Sequence, residues 1–405
     1  MAFKFIDGGV CAAKGYKASG IHCGIRKNKS KRDLALIVSE CRATAAAIYT
    51  LNLVKGAPIY VTKANIADGF AQAVICNSGN ANTCNANGIE IAEAMCELVA
   101  KHTDIKANDV IVASTGVIAQ PLSVEPIANG MQQLVDSLAV DSKVAAEAIM
   151  TTDTKLKEVA VSFKIDGKEC RIGGIAKGSG MIHPNMATML VFLTSDVAIS
   201  AEMLKTALKE VTDDTFNMIS IDGDTSTNDM VSLMANGLAG NAEITEKNSA
   251  YKAFKKALYE VTVKLCKMIA ADGEGATKLL ECKVSGAKTT KAAKVSAKSV
   301  ICSSLLKAAM FGADANCGRV LCALGYSGAD IDVTKVDVSL ESEAGRVDVC
   351  KNGVGILFSE EDAKKVLLCS EIVIDIALND GKKSATAWGC DLTYDYVKIN
   401  GDYRT

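Results

Sequence analysis

The stretch Lys177–Leu190, KGSGMIHPNMATML, is where the residue types of this 405-residue chain come closest to declaring a chemistry. A glycine-rich polar loop runs directly into an apolar run, Met189 to Leu193, with Thr188 at the junction and small Ala187 before it. A threonine hydroxyl at a strand start can attack its own preceding carbonyl when the loop strains that peptide bond. An N-to-O acyl shift followed by hydrolysis then leaves Thr188 as a new N-terminus. Its free α-amine, with an ordinary pKa of about 7.7–8.0, is a base at neutral pH. A threonine beside its own amine is an activated nucleophile and needs no histidine. An ordinary loop entering a buried strand fits the same residues, and their types do not choose between the two.

Other chemistries fit less well. There are three histidines, His22, His102 and His183. A metal site would need carboxylates or thiols for most of its ligands, and a Ser-His-Asp triad would have to use one of the three. Only His183, inside the loop above, stands in a suggestive context. Fifteen cysteines are scattered from Cys11 to Cys390 with no C-x-x-C pair, so zinc-ribbon and thioredoxin motifs are absent. They read as reduced thiols serving as small core hydrophobes, which implies a reducing, cytosolic compartment. Gly173–Ser179, GGIAKGS, lacks the Lys-Ser/Thr that a phosphate loop needs. IDGDTSTND at 221–229 places Thr227 and Leu233 where a calcium loop needs Gly and Glu. A nucleophile elbow and a Rossmann fingerprint are also missing. A formal net charge of −2 gives no bulk reason for nucleic acid or an anionic membrane as partner. No apolar run approaches the roughly 20 residues of a membrane span, and MAFKFIDGGVCAAKG has no signal-peptide core. At 49% hydrophobic the chain has ample surface to bury.

The elements that must position these residues alternate between helical and strand patterns, as in α/β or α+β proteins. Phe254, Leu258, Val261, Leu265 and Ile269 share one face of a helix over 251–270, with Gly273 as a stop. Ser200 is a candidate N-cap for a helix over 200–211, and 87–102 is another helix. Strands are expected at Val110–Ala113, Met189–Leu193, Met218–Ile221 and Glu371–Ile376. The lysine-rich segment 283–299 reads as a solvated connection into a smaller C-terminal subdomain.

Further strings accompany the loop. They are NSGNAN (Asn77–Asn82), STG (Ser114–Gly116), TTDT (Thr151–Thr154), TFNMISIDGDTSTND (Thr215–Asp229), FGADANCGR (Phe311–Arg319) and AWGCDLTYDYVKINGDYRT (Ala387–Thr405). In this order, and over essentially the whole chain, they resemble the ornithine acetyltransferase family of arginine biosynthesis (ArgJ, glutamate N-acetyltransferases). The resemblance implies an α/β, N-terminal-nucleophile-like layered sandwich of two sheets flanked by helices. It implies self-cleavage between Ala187 and Thr188, giving an α chain of residues 1–187 and a β chain of residues 188–405. The β chain would hold the smaller subdomain from about 284, and the chains would associate as α2β2.

The same resemblance implies Thr188 as nucleophile, with Thr115 and Gly116 forming the oxyanion hole. Thr151, Lys177, Thr188, Glu274, Asn400 and Thr405 would line the substrate site. Lys177 suits a substrate carboxylate and Glu274 an ammonium. Thr405 would reach the site only if the C-terminal arm folds back. The implied substrates are N2-acetylornithine and glutamate, exchanged through an acetyl-Thr188 ester with no metal and no cofactor. Bifunctional members also take acetyl-CoA as donor. A related self-processing aminopeptidase would share the nucleophile but release the acyl group to water, and a binding protein would keep the chain intact. Asp314–Cys317, where the family usually carries Pro and Trp, and Thr83-Cys84-Asn85 depart from the pattern. Those departures bear on local packing and fine substrate preference.

Overall fold

The computed structural model describes residues 3–183 and 189–401. Among these, nine strands form the first sheet. They are β1 (Lys4–Ile6), β2 (Tyr16–Ile21), β3 (Leu34–Tyr49), β4 (Phe70–Asn77), β5 (Val110–Ser114), β6 (Lys157–Ile165), β7 (Lys168–Lys177), β8 (Leu190–Ser195) and β10 (Met230–Ala235). They pair in the order β1-β6-β7-β8-β10-β3-β4-β5, with β2 beside β3. The pairs β8/β10 and β4/β5 are parallel and the others antiparallel.

β8 explains why its sequence reads as one apolar run. All six of its residues are buried. Val191 and Leu193 enter one core, and Leu190 and Phe192 enter the core on the opposite face. A strand covered on both faces has no polar side to show, and each large side chain so buried contributes about 1.5–3 kcal/mol.

The helix Ser249–Ala271 packs on β6 and β7 and also touches the second sheet. Phe254, Leu258, Val261, Leu265 and Ile269 are fully enclosed, as the helical spacing requires. The Asn248 side chain caps it by accepting the Tyr251 N–H at 3.1 Å. Ser200 caps Ala201–Asp214 in the same way, through the Met203 N–H at 3.3 Å. A third expected helix is found at Gly88–His102.

The second sheet runs β14-β13-β12-β15-β11-β16-β9. Its members are β9 (Ile219–Ser220), β11 (Leu279–Ala287), β12 (Asp337–Ser342), β13 (Gly345–Lys351), β14 (Val354–Gly355), β15 (Glu371–Ala377) and β16 (Lys383–Cys390). The architecture is therefore α/β, with two sheets flanked by helices.

Two expectations need correction. The strand over Met218–Ile221 shrinks to the two residues of β9, because Phe216–Met218 is a 3-10 turn. The segment 283–299 is no linker. Its start completes β11, and Thr290–Cys302 is a helix that buries Ala292, Ala293, Ser296, Ala297 and Val300 against the sheet. Its buried face is built of small residues between lysines, which leaves little hydrophobic signal in the sequence. All fifteen cysteines are free, and eight of them are buried. No described helix is long and apolar enough to cross a membrane.

Candidate active site

Thr115 and Gly116 follow β5 directly. The Thr115 N–H donates to the Asn77 carbonyl at 2.9 Å. Among the described residues this leaves the Thr115 hydroxyl and the Gly116 N–H without partners, as the two donors this turn can offer an anion. Gly116 must be glycine. Its φ is +125°, and a Cβ there would stand 2.6 Å from the Gly79 carbonyl carbon and 2.8 Å from the Asn80 nitrogen. Asn77 holds the adjoining turn. Its Oδ1 accepts the Gly79 and Asn80 N–H groups at 3.2 and 3.0 Å, and its Nδ2 donates to Ser114 Oγ at 2.7 Å. Buried Asn228 donates to the Ser114 carbonyl at 2.9 Å. Two residues on, the Met230 N–H donates to the Met189 carbonyl at 2.9 Å. The Thr115–Gly116 turn is thus tied, through the entrance of β10, to the residue that follows Thr188. Ala187, Thr188 and Thr405 themselves lie outside the described residues.

Lys177 ends β7, opposite Leu190 of β8. It is buried and, among the described residues, makes no ion pair. Its charge acts on Asp153, on Asp229 and on Cys76. An unpaired buried cation is costly unless something anionic joins it, which suits a carboxylate-bearing ligand.

Beneath Lys177 lies a buried ionic hub. Lys157 Nζ contacts Asp153 Oδ1 at 2.7 Å and Asp272 Oδ2 at 2.5 Å. Asp153 also accepts the Gly178 N–H at 2.7 Å and the Thr151 N–H at 3.0 Å. Burial by itself would raise the Asp153 pKa, but Lys177, Lys157 and the Gly178 N–H outweigh it and hold the carboxyl well below the usual range. Asp272 caps the other side by accepting the Thr154 and Lys155 N–H groups at 3.0 and 3.2 Å and the Thr154 hydroxyl.

Two residues beyond Asp272, the Glu274 N–H donates to the Ser179 carbonyl at 2.9 Å. Gly180 abuts the Glu274 carboxylate, where any Cβ would collide. Asn400, on the short helix Tyr394–Asn400, donates to Glu274 Oε2 at 2.7 Å. One hydrogen-bonded network therefore links Thr151, the strand end carrying Lys177, Glu274 and Asn400. Thr115 and Gly116 stand apart from it, joined through β4 and the start of β10.

Sequence reasoning passed over Asp153, Lys157, Asp272, Asn228 and Asp229 as individual residues. Asp229 is the most unusual of them. It is fully buried, and its Oδ2 has no hydrogen-bond partner among the described residues. Burial pushes its carboxyl well above the usual range, with Ser226 and Lys177 opposing. His183 packs away from a base's role in this network. Its Nδ1 lies 3.1 Å from Ser220 Oγ and 3.4 Å from Cys302 Sγ, and burial together with Lys298 lowers its pKa. No group of His, Cys, Asp and Glu among the described residues could hold a metal ion.

The ArgJ family model matches residues 17–405. A Clostridium acetobutylicum protein named arginine biosynthesis bifunctional protein ArgJ is 52% identical over 96% of both chains. A solved arginine biosynthesis bifunctional protein from Bacillus halodurans is 43% identical over 52% of this chain and 97% of its own, with a TM-score of 0.49. A Mycobacterium tuberculosis ornithine acetyltransferase, solved in complex with ornithine, is 35% identical over 46% of this chain and all of its own, with a TM-score of 0.43.

Proposed function

The chain belongs to the ArgJ family, and on that premise we propose that it is an ornithine acetyltransferase of arginine biosynthesis. It moves the acetyl group of N2-acetylornithine to glutamate. The supporting observation is the network of Thr151, Glu274 and Asn400 around the strand end that carries Lys177. It offers an unpaired cation and a carboxylate together, the complement of an amino acid's two charges.

Processing between Ala187 and Thr188 frees the Thr188 amine. That amine accepts the hydroxyl proton as Thr188 Oγ attacks the acetyl carbonyl. The Thr115 hydroxyl and Gly116 N–H receive the developing oxyanion, each such donor being worth about 2.7–4 kcal/mol. The amide C–N bond breaks, the proton passes to the departing ornithine amine, and acetyl-Thr188 remains. The glutamate amine attacks the ester, its proton returns to the Thr188 oxygen, and N-acetylglutamate leaves. One amide replaces another, so the exchange calls for neither ATP nor metal. Lys177 takes the substrate carboxylate, and Glu274, held by Asn400, takes the ammonium; Thr151 and Thr405 complete the site. The mature enzyme is a cytosolic α2β2 assembly of chains 1–187 and 188–405.

The relative's name, bifunctional, favours a second activity, which we read as acetyl transfer from acetyl-CoA to glutamate. Intact mass and a denaturing gel give the first test, with two fragments split after Ala187 expected. Acetyl transfer is then assayed with each donor. A Thr188→Ala protein that still splits and transfers acetyl at the wild-type rate would sink the mechanism.

A further inference from the structure

A pocket of about 440 Å³ adjoins the site, between the segment 22–32 and the segment 147–153. Five side chains that line it are basic: His22, Arg26, Lys29, Lys31 and Arg32. The two acids that line it are already engaged, Glu147 with Arg32 at 3.0 Å and Asp153 with Lys157 at 2.7 Å. Lys29 and Lys31 are exposed and make no ion pair among the described residues. His22 lies 3.2 Å from buried Asp33, Arg32 is paired with Glu147, and Arg26 is held by backbone carbonyls, so the positive charge this pocket has left to offer is that of Lys29 and Lys31.

Its position connects it to the chemistry. Arg26 donates to the Ser78 carbonyl through Nε at 3.0 Å and also to the Met150 carbonyl. Met150 and Asp153 line the pocket, and Thr151 stands between them in the chain. Buried Asp33 fastens the other rim by accepting the Cys23 N–H at 2.7 Å and the Arg26 N–H at 2.9 Å. The basic rim is thus held to the same segment that carries a substrate-site residue.

Acetylornithine and glutamate do not account for this charge. Each is small, and Lys177 and Glu274 already answer its charges. Two neighbouring lysines at the rim of one pocket suit a ligand with several phosphate charges, for which lysine acts as a point charge. We infer that this pocket binds the phosphates of a coenzyme A thioester. The inference rests on the reading that acetyl-CoA is a second acetyl donor.

The test uses the processed enzyme and the double variant Lys29→Gln/Lys31→Gln, whose side chains are exposed and stand outside the catalytic network. Binding of coenzyme A, 3′-dephospho-coenzyme A and inorganic phosphate is measured by calorimetry, and both acetyl-transfer reactions by initial rates. Losing two solvent-facing charge pairs predicts about a tenfold weaker Kd for coenzyme A and a similar rise in KM for acetyl-CoA. The acetylornithine–glutamate reaction keeps its kcat and KM. Higher ionic strength narrows the gap between wild type and variant, and 3′-dephospho-coenzyme A binds wild type more weakly than coenzyme A. Acetyl-CoA turnover with an unchanged KM in the variant overturns the pocket while the two-donor reading stands. Coenzyme A that binds wild type tenfold tighter than the variant, with no acetyl transfer from acetyl-CoA, keeps the pocket and sinks the two-donor reading. Inorganic phosphate binding as tightly as coenzyme A, with the same loss in the variant, shows a free-phosphate site and overturns the inference.

Discussion

Replacing Lys157 with methionine tests whether the buried hub positions the site. Methionine keeps the length and apolar stem but removes the charge. Lys157 Nζ is fully enclosed, with Asp153 Oδ1 at 2.7 Å, Asp272 Oδ2 at 2.5 Å and the Lys155 carbonyl at 3.2 Å. Without it two buried carboxylates face each other with no cation between them. Breaking a buried pair by removing one partner costs about 3–5 kcal/mol. Asp153 keeps the Gly178 and Thr151 N–H groups, and Asp272 keeps those of Thr154 and Lys155. The lower end of that range, about 3 kcal/mol, is therefore expected. Urea denaturation in a Thr188→Ala background, which the proposed mechanism leaves uncut, measures it with the transition kept unimolecular. Thr151 and the strand end at Lys177 lose a shared anchor, so kcat/KM for acetylornithine falls roughly 100-fold, the scale of a 1 Å misplacement. Adding Asp153→Asn restores part of the stability by removing one stranded charge. The pH dependence has a definite sign. The folded Asp153 carboxyl lies below its unfolded value of about 3.9. Its contribution is present above about pH 4 and is lost as pH falls through the lower folded value. In Lys157→Met that acid-side loss begins at higher pH. A variant within 1 kcal/mol of the parent, with unchanged kinetics, would refute the positioning role.

Gly116→Ala forces a Cβ onto the Gly79 carbonyl carbon at a φ of +125°. Single-turnover acetylation should slow by about 10²–10³, the effect of losing one oxyanion donor; a loss under threefold would remove Gly116 from that role. Asp229→Asn removes a carboxyl whose folded pKa is raised by burial. Such a group adds stability below its unfolded value of about 3.9 that is lost as pH rises through the folded value. Urea midpoints should therefore increasingly favour the variant from acid toward alkaline pH, and a pH-independent difference would contradict this. Burial lowers Lys298 from 10.5 to about 8. Its charged form is thus a cost below pH 8 that disappears as pH rises toward 10.5. Lys298→Met should be more stable than wild type at neutral pH by about 1–3 kcal/mol, with the advantage closing across that window.

The elements nearest the chemistry were the most legible in the sequence. β8 announced itself because both of its faces are buried, and Ser249–Ala271 because five apolar residues recur at helical spacing. The family resemblance brought Thr115, Gly116, Thr151, Lys177, Glu274 and Asn400 forward, and the fold gathers the last four into one network. Asn400 would pass for part of a frayed tail if its hydrogen bond to Glu274, 126 positions away, were unknown. Lys157 could not be found by pattern. It stands two residues after another lysine, at the edge of an alternating strand, and its meaning comes from Asp272, 115 residues later. Lys298 and its neighbours misled in the opposite direction. A helix that packs through alanine and serine looks like a solvated linker to any measure built on hydrophobicity.

In the first sheet β8 and β10 lie side by side, flanked by β7 and β3. The central pair comes after position 188 and both flanking strands come before it. A backbone cut between Ala187 and Thr188 would therefore separate no layer from another; each fragment would be wedged into its sibling. The first fragment alone would be a sheet with its middle missing, and Leu190, Phe192 and Met230 would be absent from the core they fill. Scission would thus alter the reaction order of folding. Before the cut, collapse is an event within one molecule and indifferent to dilution. After it, recovery from denaturant becomes an encounter of two incomplete partners, slower at every dilution and exposed to aggregation while each waits. Such a protein has to fold first and be cut afterwards, and a matured copy that comes apart has little route home.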